Sequence, residues 1–203
     1  MDIRKDWDLI YRVVLVGLSI SAFIYDFFTY GAPDFRYFTD ESNLGVLIWL
    51  ILAILCRNNA NLTQKLKGFF RGAVTLYITV TFLIYSTLLA AGPQEYSSLI
   101  FHYILPIAFI FEWVLTEFDK KYRWQYMGPW LIYPLIYLGG VVINGNLTGF
   151  YPYFFLDLSY LGVGSFIINV LLLVVLFAGL GLVYIGVNRA MLKHQAKTGK
   201  SPQ

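Results

Sequence analysis

The stretch that decides the fold is residues 158–188, which read LSYLGVGSFIINVLLLVVLFAGLGLVYIGVN. No Asp, Glu, Lys or Arg lies between Asp157 and Arg189. About 20 mostly apolar residues are enough for an α-helix to cross the hydrocarbon core of a bilayer. The stretch therefore predicts a transmembrane helix, which we place at about residues 160–187.

The spacing of charged residues upstream predicts five further helices. The whole chain has 203 residues, of which 58% are hydrophobic and only 13% are charged, whereas a soluble domain is about one quarter charged. We therefore expect an all-α fold in which residues 1–203 form a single polytopic membrane domain with a basic tail at 188–203. The predicted helices of this bundle cover about residues 9–30, 38–56, 71–92, 98–117, 129–145 and 160–187.

The basic residues predict the orientation of the bundle. Fourteen of the 15 Lys and Arg residues lie at the N-terminus, in the second and fourth connections or in the tail, and Arg36 alone lies on the opposite side. Lys and Arg accumulate in cytoplasmic loops, so both termini are predicted to be cytoplasmic, in a plasma (cytoplasmic) membrane. This asymmetry also accounts for the net charge of +3. We accordingly expect the lipid bilayer as a partner and no nucleic acid.

Polar side chains collect in one shallow layer near the outer ends of the predicted helices. Polar and ionisable groups at membrane depth are costly and are functional candidates by default. The layer therefore predicts a site in the outer leaflet. Its members come from the first, second, fourth and fifth helices: Asp26, Thr39, Ser42, Asn43, His102 and Asn144.

Thr39 is the nucleophile candidate within this layer. It belongs to the segment 36–43, RYFTDESN, where Thr39, Ser42 and Asn43 share one helix face at i, i+3 and i+4. The unpaired N–H groups and the positive dipole end of a first helical turn favour a developing anion. An alternative interpretation is open on the same residues, because a Thr before acidic residues is also a common N-cap.

His102 is the candidate base. A neutral imidazole can take a proton from a hydroxyl and return it to a leaving group, and we expect Asp26, at similar depth, to orient it. Pro106, four residues later, frees the carbonyl of His102 and favours a local distortion of the helix. An interfacial histidine hydrogen-bonded to a neighbouring helix is the alternative. We expect no metal and no cofactor, since the other histidine, His194, lies in the tail and Cys56 is the single cysteine.

Two further polar residues are expected to have structural roles. Glu112 lies ten residues beyond His102, about 15 Å lower along an α-helix. Near the cytoplasmic end, it is expected to pair with Arg or Lys from the inner loops. Asn169, near the middle of the sixth helix, is expected to hydrogen-bond between helices.

Three segments carry a resemblance to a known family. They are Tyr37–Asn43 (YFTDESN), His102–Pro106 (HYILP) followed by Glu112, and Tyr133-Pro134 ahead of the loop 149–153 (GFYPY). With these segments, nearly the whole chain resembles the androgen-induced membrane protein family and its bacterial six-helix relatives. The resemblance implies threonine-dependent hydrolysis of fatty-acid esters of hydroxy fatty acids, with the required threonine and histidine at Thr39 and His102.

The predicted function is therefore an intramembrane hydrolase of lipid-like esters. Asn43 and the first amides of the second helix are expected to stabilise the oxyanion. The alternative is a non-enzymatic membrane protein that binds or transports a lipid or small molecule through the same polar layer. A transporter should continue the polar path inward, toward Asn169 and Glu112. A structural partner of another membrane protein is a third possibility, on which the sequence is silent.

Overall fold

Helices are the regular secondary structure of residues 3–117 and 120–197, which the computed structural model describes. These residues contain α-helices and short 3-10 and π turns but no strand, which confirms the predicted all-α class. The helices are α1 (Ile3–Tyr30), α2 (Phe38–Leu55), α3 (Ala60–Leu66), α4 (Phe69–Ile84), α5 (Tyr96–Leu99), α6 (Leu105–Thr116), α7 (Met127–Thr148) and α8 (Leu158–Lys197). Two π turns extend α4 and join α5 to α6, at Tyr85–Leu89 and Ile100–Ile104.

Six helical segments in the described part of the chain are long and apolar enough to cross a membrane, as the sequence predicted. The last differs from its prediction, because α8 continues to Lys197 rather than ending near residue 187. Residues 188–197 contain neither Pro nor Gly, so the helix continues through the predicted tail; the rest of that tail, 198–203, lies outside the described residues. The segments are Trp7–Tyr30, Phe38–Leu55, Phe69–Leu89, Tyr96–Thr116, Trp124–Thr148 and Leu158–Lys197.

The helix α4 lies at the centre of the bundle and packs against α2, α6 and α8. Its residues from Arg71 to Thr81 are almost all buried. In contrast, α7 and α8 expose large apolar side chains such as Ile136, Leu172 and Val175. A surface of this kind on a long helix suits contact with lipid rather than water.

One end of the bundle is held by buried charges. Arg71 is fully buried, with its guanidinium 4.0 Å from the centre of the Trp49 ring. Glu112 accepts a 2.7 Å hydrogen bond from Arg12 Nε and lies 3.5 Å from Arg71 Nη2. The predicted pairing of Glu112 with basic residues is thereby confirmed. A second carboxylate, that of Glu117, lies 3.4 Å from Arg71 Nε, so this charge cluster (the Arg71 cluster) joins α1, α4 and the end of α6.

Candidate active site

Thr39 lies in the first turn of α2, at the end of the bundle opposite the Arg71 cluster. The N-cap is Tyr37, whose backbone is extended (φ −94°, ψ 132°) and whose side chain makes no capping hydrogen bond. The interpretation of Thr39 as an N-cap is therefore wrong. Its hydroxyl is directed to a neighbouring helix instead, where Thr39 Oγ1 lies 3.3 Å from His102 Nε2.

The contacts of His102 determine which ring nitrogen faces Thr39. Nδ1 lies 2.9 Å from the carbonyl oxygen of Ser98 and 3.1 Å from Ser98 Oγ. A carbonyl oxygen can only accept, so we assign the ring proton to Nδ1. That tautomer leaves the lone pair of Nε2 directed at the Thr39 hydroxyl, which is the arrangement that a general base requires.

His102 lies on an irregular part of its helix. The π turn Ile100–Ile104 comes immediately before Pro106, at the point where the sequence predicted a distortion. Tyr85, on the other π turn, stacks on the imidazole with a centroid separation of 3.5 Å and an interplanar angle of 8°. The Tyr85 hydroxyl contacts Gln94 Oε1 and lies 2.7 Å from Ser98 Oγ. The ring and its partners hold the imidazole in one plane.

Asp26 differs from its predicted role. It was expected to orient His102, but its carboxyl hydrogen-bonds with Ser97, while the neighbouring Ser98 takes the imidazole Nδ1. Ser98 can take this place because it precedes His102 by four residues, so that its carbonyl lies one helical turn before the ring. Asp26 is buried near a second buried carboxyl, that of Asp40.

Ser42 and Asn43 connect α2 to its neighbours. Ser42 Oγ lies 3.0 Å from the Thr39 carbonyl and 2.8 Å from Thr81 Oγ1 on α4. Asn43 Nδ2 donates to the carbonyls of Thr39 at 2.9 Å and Phe101 at 3.1 Å. Because both hydrogens of that nitrogen are used, Asn43 is not placed as the oxyanion donor that the sequence predicted. It fixes the start of α2 against the π turn that carries His102.

Asn144 bonds to the connection between α7 and α8 rather than to Thr39. The helix α7 ends at Gly149, whose φ of 76° is a left-handed conformation that favours glycine. Asn144 Nδ2 then donates to the Phe150 carbonyl at 2.8 Å. Asn169, in α8, donates to the Phe155 carbonyl at 3.0 Å. Asn169 thus bonds to this connection, residues 149–157 (the 149–157 loop), rather than to a helix.

The 149–157 loop brings Tyr153 to Thr39. Tyr153 is buried, and its hydroxyl lies near the Thr39 side chain and near the backbone of Phe38 and Thr39. Burial raises the pKa of this phenol to about 12, and these polar neighbours act in the opposite direction. From the sequence, Tyr153 was only the last residue of the loop segment GFYPY, and no role in the site was predicted for it. The buried run Tyr153, Phe155 and Leu156 is visible in the structure because the loop folds inward.

Tyr137, on α7, completes the set of hydroxyl groups at the start of α2. Its hydroxyl donates to the Arg36 carbonyl at 2.7 Å and accepts from the Phe38 N–H at 3.2 Å. Tyr137 also lies near the Tyr153 hydroxyl. The N–H of Phe38 thus donates to Tyr137 and that of Asp40 to the Tyr37 carbonyl, so neither is free as the oxyanion donor that the sequence predicted.

An open cavity lies beside Thr39, and the empty space in and around it, which includes solvent outside its mouth, is about 750 Å³. Its wall is formed by the start of α2, the upper part of α4, the middle of α7 and α8, and the 149–157 loop. Most of the lining is apolar, including Val80, Leu138 and Phe177, while Thr39 and Tyr153 contribute hydroxyls. Neither Asn169 nor Glu112 is among the residues that line it.

Among the side chains of residues 7–117 and 120–197, no group of three or more His, Cys, Asp or Glu is placed to hold a metal ion. The polar groups beside Thr39 are hydroxyls and the His102 imidazole. A hydroxyl beside an imidazole whose other nitrogen is fixed is the arrangement used for nucleophilic acyl transfer.

Comparison with known proteins finds a relative of this chain but assigns it to no family. The chain is similar to an uncharacterized protein of Mycoplasma pneumoniae, the MG452 homolog, with 33% identity over 49% of this chain and 44% of that protein. The chain thus matches less than half the length of that relative. No family model matches the chain. No solved structure matches it either.

Proposed function

We propose that this chain is an intramembrane hydrolase of lipid-like esters, with Thr39 as nucleophile and His102 as general base. The observation that carries the proposal is the 3.3 Å separation of Thr39 Oγ1 and His102 Nε2, on an imidazole whose Nδ1 is bonded to the Ser98 carbonyl. An alcohol becomes an effective nucleophile when an adjacent base takes its proton. A separation slightly longer than an ideal hydrogen bond is common before substrate binds.

The reaction follows from these two groups. His102 Nε2 takes the Thr39 proton as Oγ1 bonds to the ester carbon, and the carbonyl π electrons move onto the carbonyl oxygen. When the tetrahedral intermediate collapses, the bond to the alkoxy oxygen breaks and His102 gives its proton to that oxygen. Water then attacks the threonyl ester with His102 again as base. The products are an acid and an alcohol, and the Thr39 hydroxyl is restored.

The apolar cavity supports a lipid-like substrate. Along α4 and the π turn that extends it, the wall runs from Val80 to Leu89, a length of roughly 13 Å at about 1.5 Å per residue. An apolar wall with a few convergent polar groups is the usual form of a small-molecule site. In this proposal, an acyl chain lies among the apolar side chains with its ester carbonyl at Thr39. The resemblance to threonine hydrolases of the androgen-induced family belongs to the same proposal.

The proposed location is the outer leaflet of the plasma membrane, with both termini cytoplasmic. Its support is the asymmetry of the basic residues, fourteen of which lie on the side opposite Arg36. Lipid or small-molecule binding without chemistry needs the same cavity, so the test below separates the two functions. Transport has less support, because Glu112 is engaged in ion pairs with Arg12 and Arg71.

The test uses the purified protein, a fluorophosphonate probe and release of 4-nitrophenol from 4-nitrophenyl decanoate. We expect Thr39→Ala and His102→Ala to lose probe labelling and at least about 100-fold of the hydrolysis rate. Thr87→Ala is the matched control, since its hydroxyl donates to the Leu83 carbonyl of its own helix and does not line the cavity. Its labelling should equal that of the wild type.

Two outcomes would overturn the assignment. A loss of less than about tenfold in Thr39→Ala would refute the nucleophile. Equal labelling of all variants, or labelling of none, would favour the binding function. Thermal unfolding of each variant in the same detergent shows whether a loss of activity comes from a loss of fold.

A further inference from the structure

The strongest feature that the proposed reaction leaves unused is the buried phenol of Tyr153. It lines the same cavity as Thr39, and its hydroxyl lies near the Thr39 side chain. Acyl transfer requires a donor for the oxygen that becomes negative, and such donors account for a large part of the rate. The predicted donors are committed elsewhere, since the Asn43 nitrogen bonds two carbonyls.

The proton of Tyr153 is available for this task. The backbone N–H of Thr39 lies near its oxygen, so the oxygen can accept and the O–H is left to donate. Tyr137, in contrast, has given its proton to the Arg36 carbonyl at 2.7 Å and accepts the Phe38 N–H. In the free protein, Thr39 Oγ1 and Tyr137 Oη lie near the Tyr153 hydroxyl and can accept its proton. A hydroxyl proton rotates to suit its acceptor, so it can move to a new one.

The position of Tyr153 also fits an oxyanion. The negative oxygen of the tetrahedral intermediate is bonded to the same carbon as Thr39 Oγ1. A donor within hydrogen-bonding reach of Oγ1 in the free protein is therefore close to where that oxygen forms. Because Tyr153 is buried, its hydrogen bond is made in a medium of low polarity, where it is stronger than in water.

We propose that Tyr153 Oη–H donates the hydrogen bond that stabilises the oxyanion formed when Thr39 attacks the ester. This inference rests on the proposed function, since it requires that an oxyanion forms. The phenol keeps its proton throughout, while the Thr39 proton moves to His102 Nε2. Through Tyr153, the 149–157 loop contributes to the site, whereas Tyr151 does not line the cavity.

The experiment compares Tyr153→Phe with Tyr151→Phe, a matched change two residues earlier in the same loop. We expect Tyr153→Phe to lower kcat by about 100-fold or more with KM within about threefold of the wild type. Such a pattern is typical of an interaction made only in the transition state. Tyr151→Phe keeps the ring that packs on Gly145, and its kcat should stay within about twofold.

The thionoester of 4-nitrophenol, in which sulfur replaces the carbonyl oxygen, distinguishes an oxyanion donor from a purely structural tyrosine. Sulfur accepts a hydrogen bond more weakly than oxygen, so the wild type should strongly prefer 4-nitrophenyl decanoate over its thiono analogue. In Tyr153→Phe, that preference should fall at least about tenfold. An unchanged preference, or an unchanged kcat, would overturn the inference. If Thr39→Ala is inactive in the same assay while Tyr153→Phe equals the wild type, the inference alone fails; an active Thr39→Ala refutes the proposed function.

Discussion

The substitution Gly145→Ala tests how the 149–157 loop is held. A methyl group at Gly145 would lie 2.1 Å from Tyr151 Cζ, 2.2 Å from Cε1 and 2.6 Å from Cε2. Carbon atoms pack at about 3.5–4.0 Å, so the ring would have to move by roughly 1.5 Å. The ring is rigid and belongs to the loop that carries Tyr153. The substitution should therefore displace the loop as well as the ring.

The magnitude follows from two opposing effects. Forcing an extra methyl group into a packed site costs about 1–3 kcal/mol. Alanine in the interior of a helix is favoured over glycine by about 0.5–1 kcal/mol. Gly140→Ala isolates the second effect, because it lies in the same helix and its methyl group would have no neighbour within 4 Å. The helix preference is common to both variants and cancels, so Gly145→Ala should be less stable than Gly140→Ala by about 1–3 kcal/mol.

The assay is thermal unfolding of both variants in detergent, followed by tyrosine and tryptophan fluorescence. At roughly 2–4 °C per kcal/mol for a chain of this size, Gly145→Ala should unfold about 2–12 °C below Gly140→Ala. Its fluorophosphonate labelling should also fall. In a Tyr151→Ala background the ring is gone, and the added methyl group should no longer destabilise the protein. Equal unfolding temperatures of the two glycine variants would refute this account of the loop.

Three further predictions concern other parts of the molecule. Glu112→Gln removes the negative charge that pairs with Arg12 and Arg71 and should lower the free energy of unfolding by about 3–5 kcal/mol. The exposed Glu95→Gln should change that free energy by less than about 1 kcal/mol, and thermal unfolding measures both variants. Ser98→Ala keeps the carbonyl on the imidazole Nδ1 and should lower probe labelling less than about tenfold, so a complete loss would contradict the role of that carbonyl. The orientation can be tested in a variant that lacks the native Cys56. Asp157→Cys should then react with an impermeant maleimide on intact cells, and Arg123→Cys should react only after permeabilisation. The reverse pattern would refute the proposed orientation.

The number of helices was predictable because a bilayer imposes a local rule. A segment in hydrocarbon must satisfy its own backbone hydrogen bonds and must be long enough to cross, so the count can be read from uninterrupted apolar length. The extension of α8 to Lys197 was not predicted, since charge marks where lipid ends and not where a helix ends. The pairing of Glu112 was also predictable, because a buried carboxylate without a cation is too costly.

The contact between Thr39 and His102 was predicted only as a shared depth. Periodicity and helix rise place both side chains near one end of the bundle, but the 3.3 Å separation depends on how α2 packs against the π turn at Ile100–Ile104. The orienting group was predicted from depth as well, and it was predicted wrongly. The Ser98 carbonyl, and not Asp26, holds the imidazole. This could not be predicted, because every residue has a backbone carbonyl and the sequence does not show which one accepts.

The sequence by itself thus determined an all-α membrane protein of six spans and the polar layer from which its candidate site is drawn. Those properties follow from segment length, charge and local periodicity. The tertiary structure alone decided which hydroxyls meet, since Tyr153 is more than a hundred residues from Thr39 along the chain. It reaches Thr39 because Gly145 leaves room for the ring of Tyr151 and because Asn169 holds the Phe155 carbonyl. Contacts of that kind depend on side chains that meet only after the helices have packed.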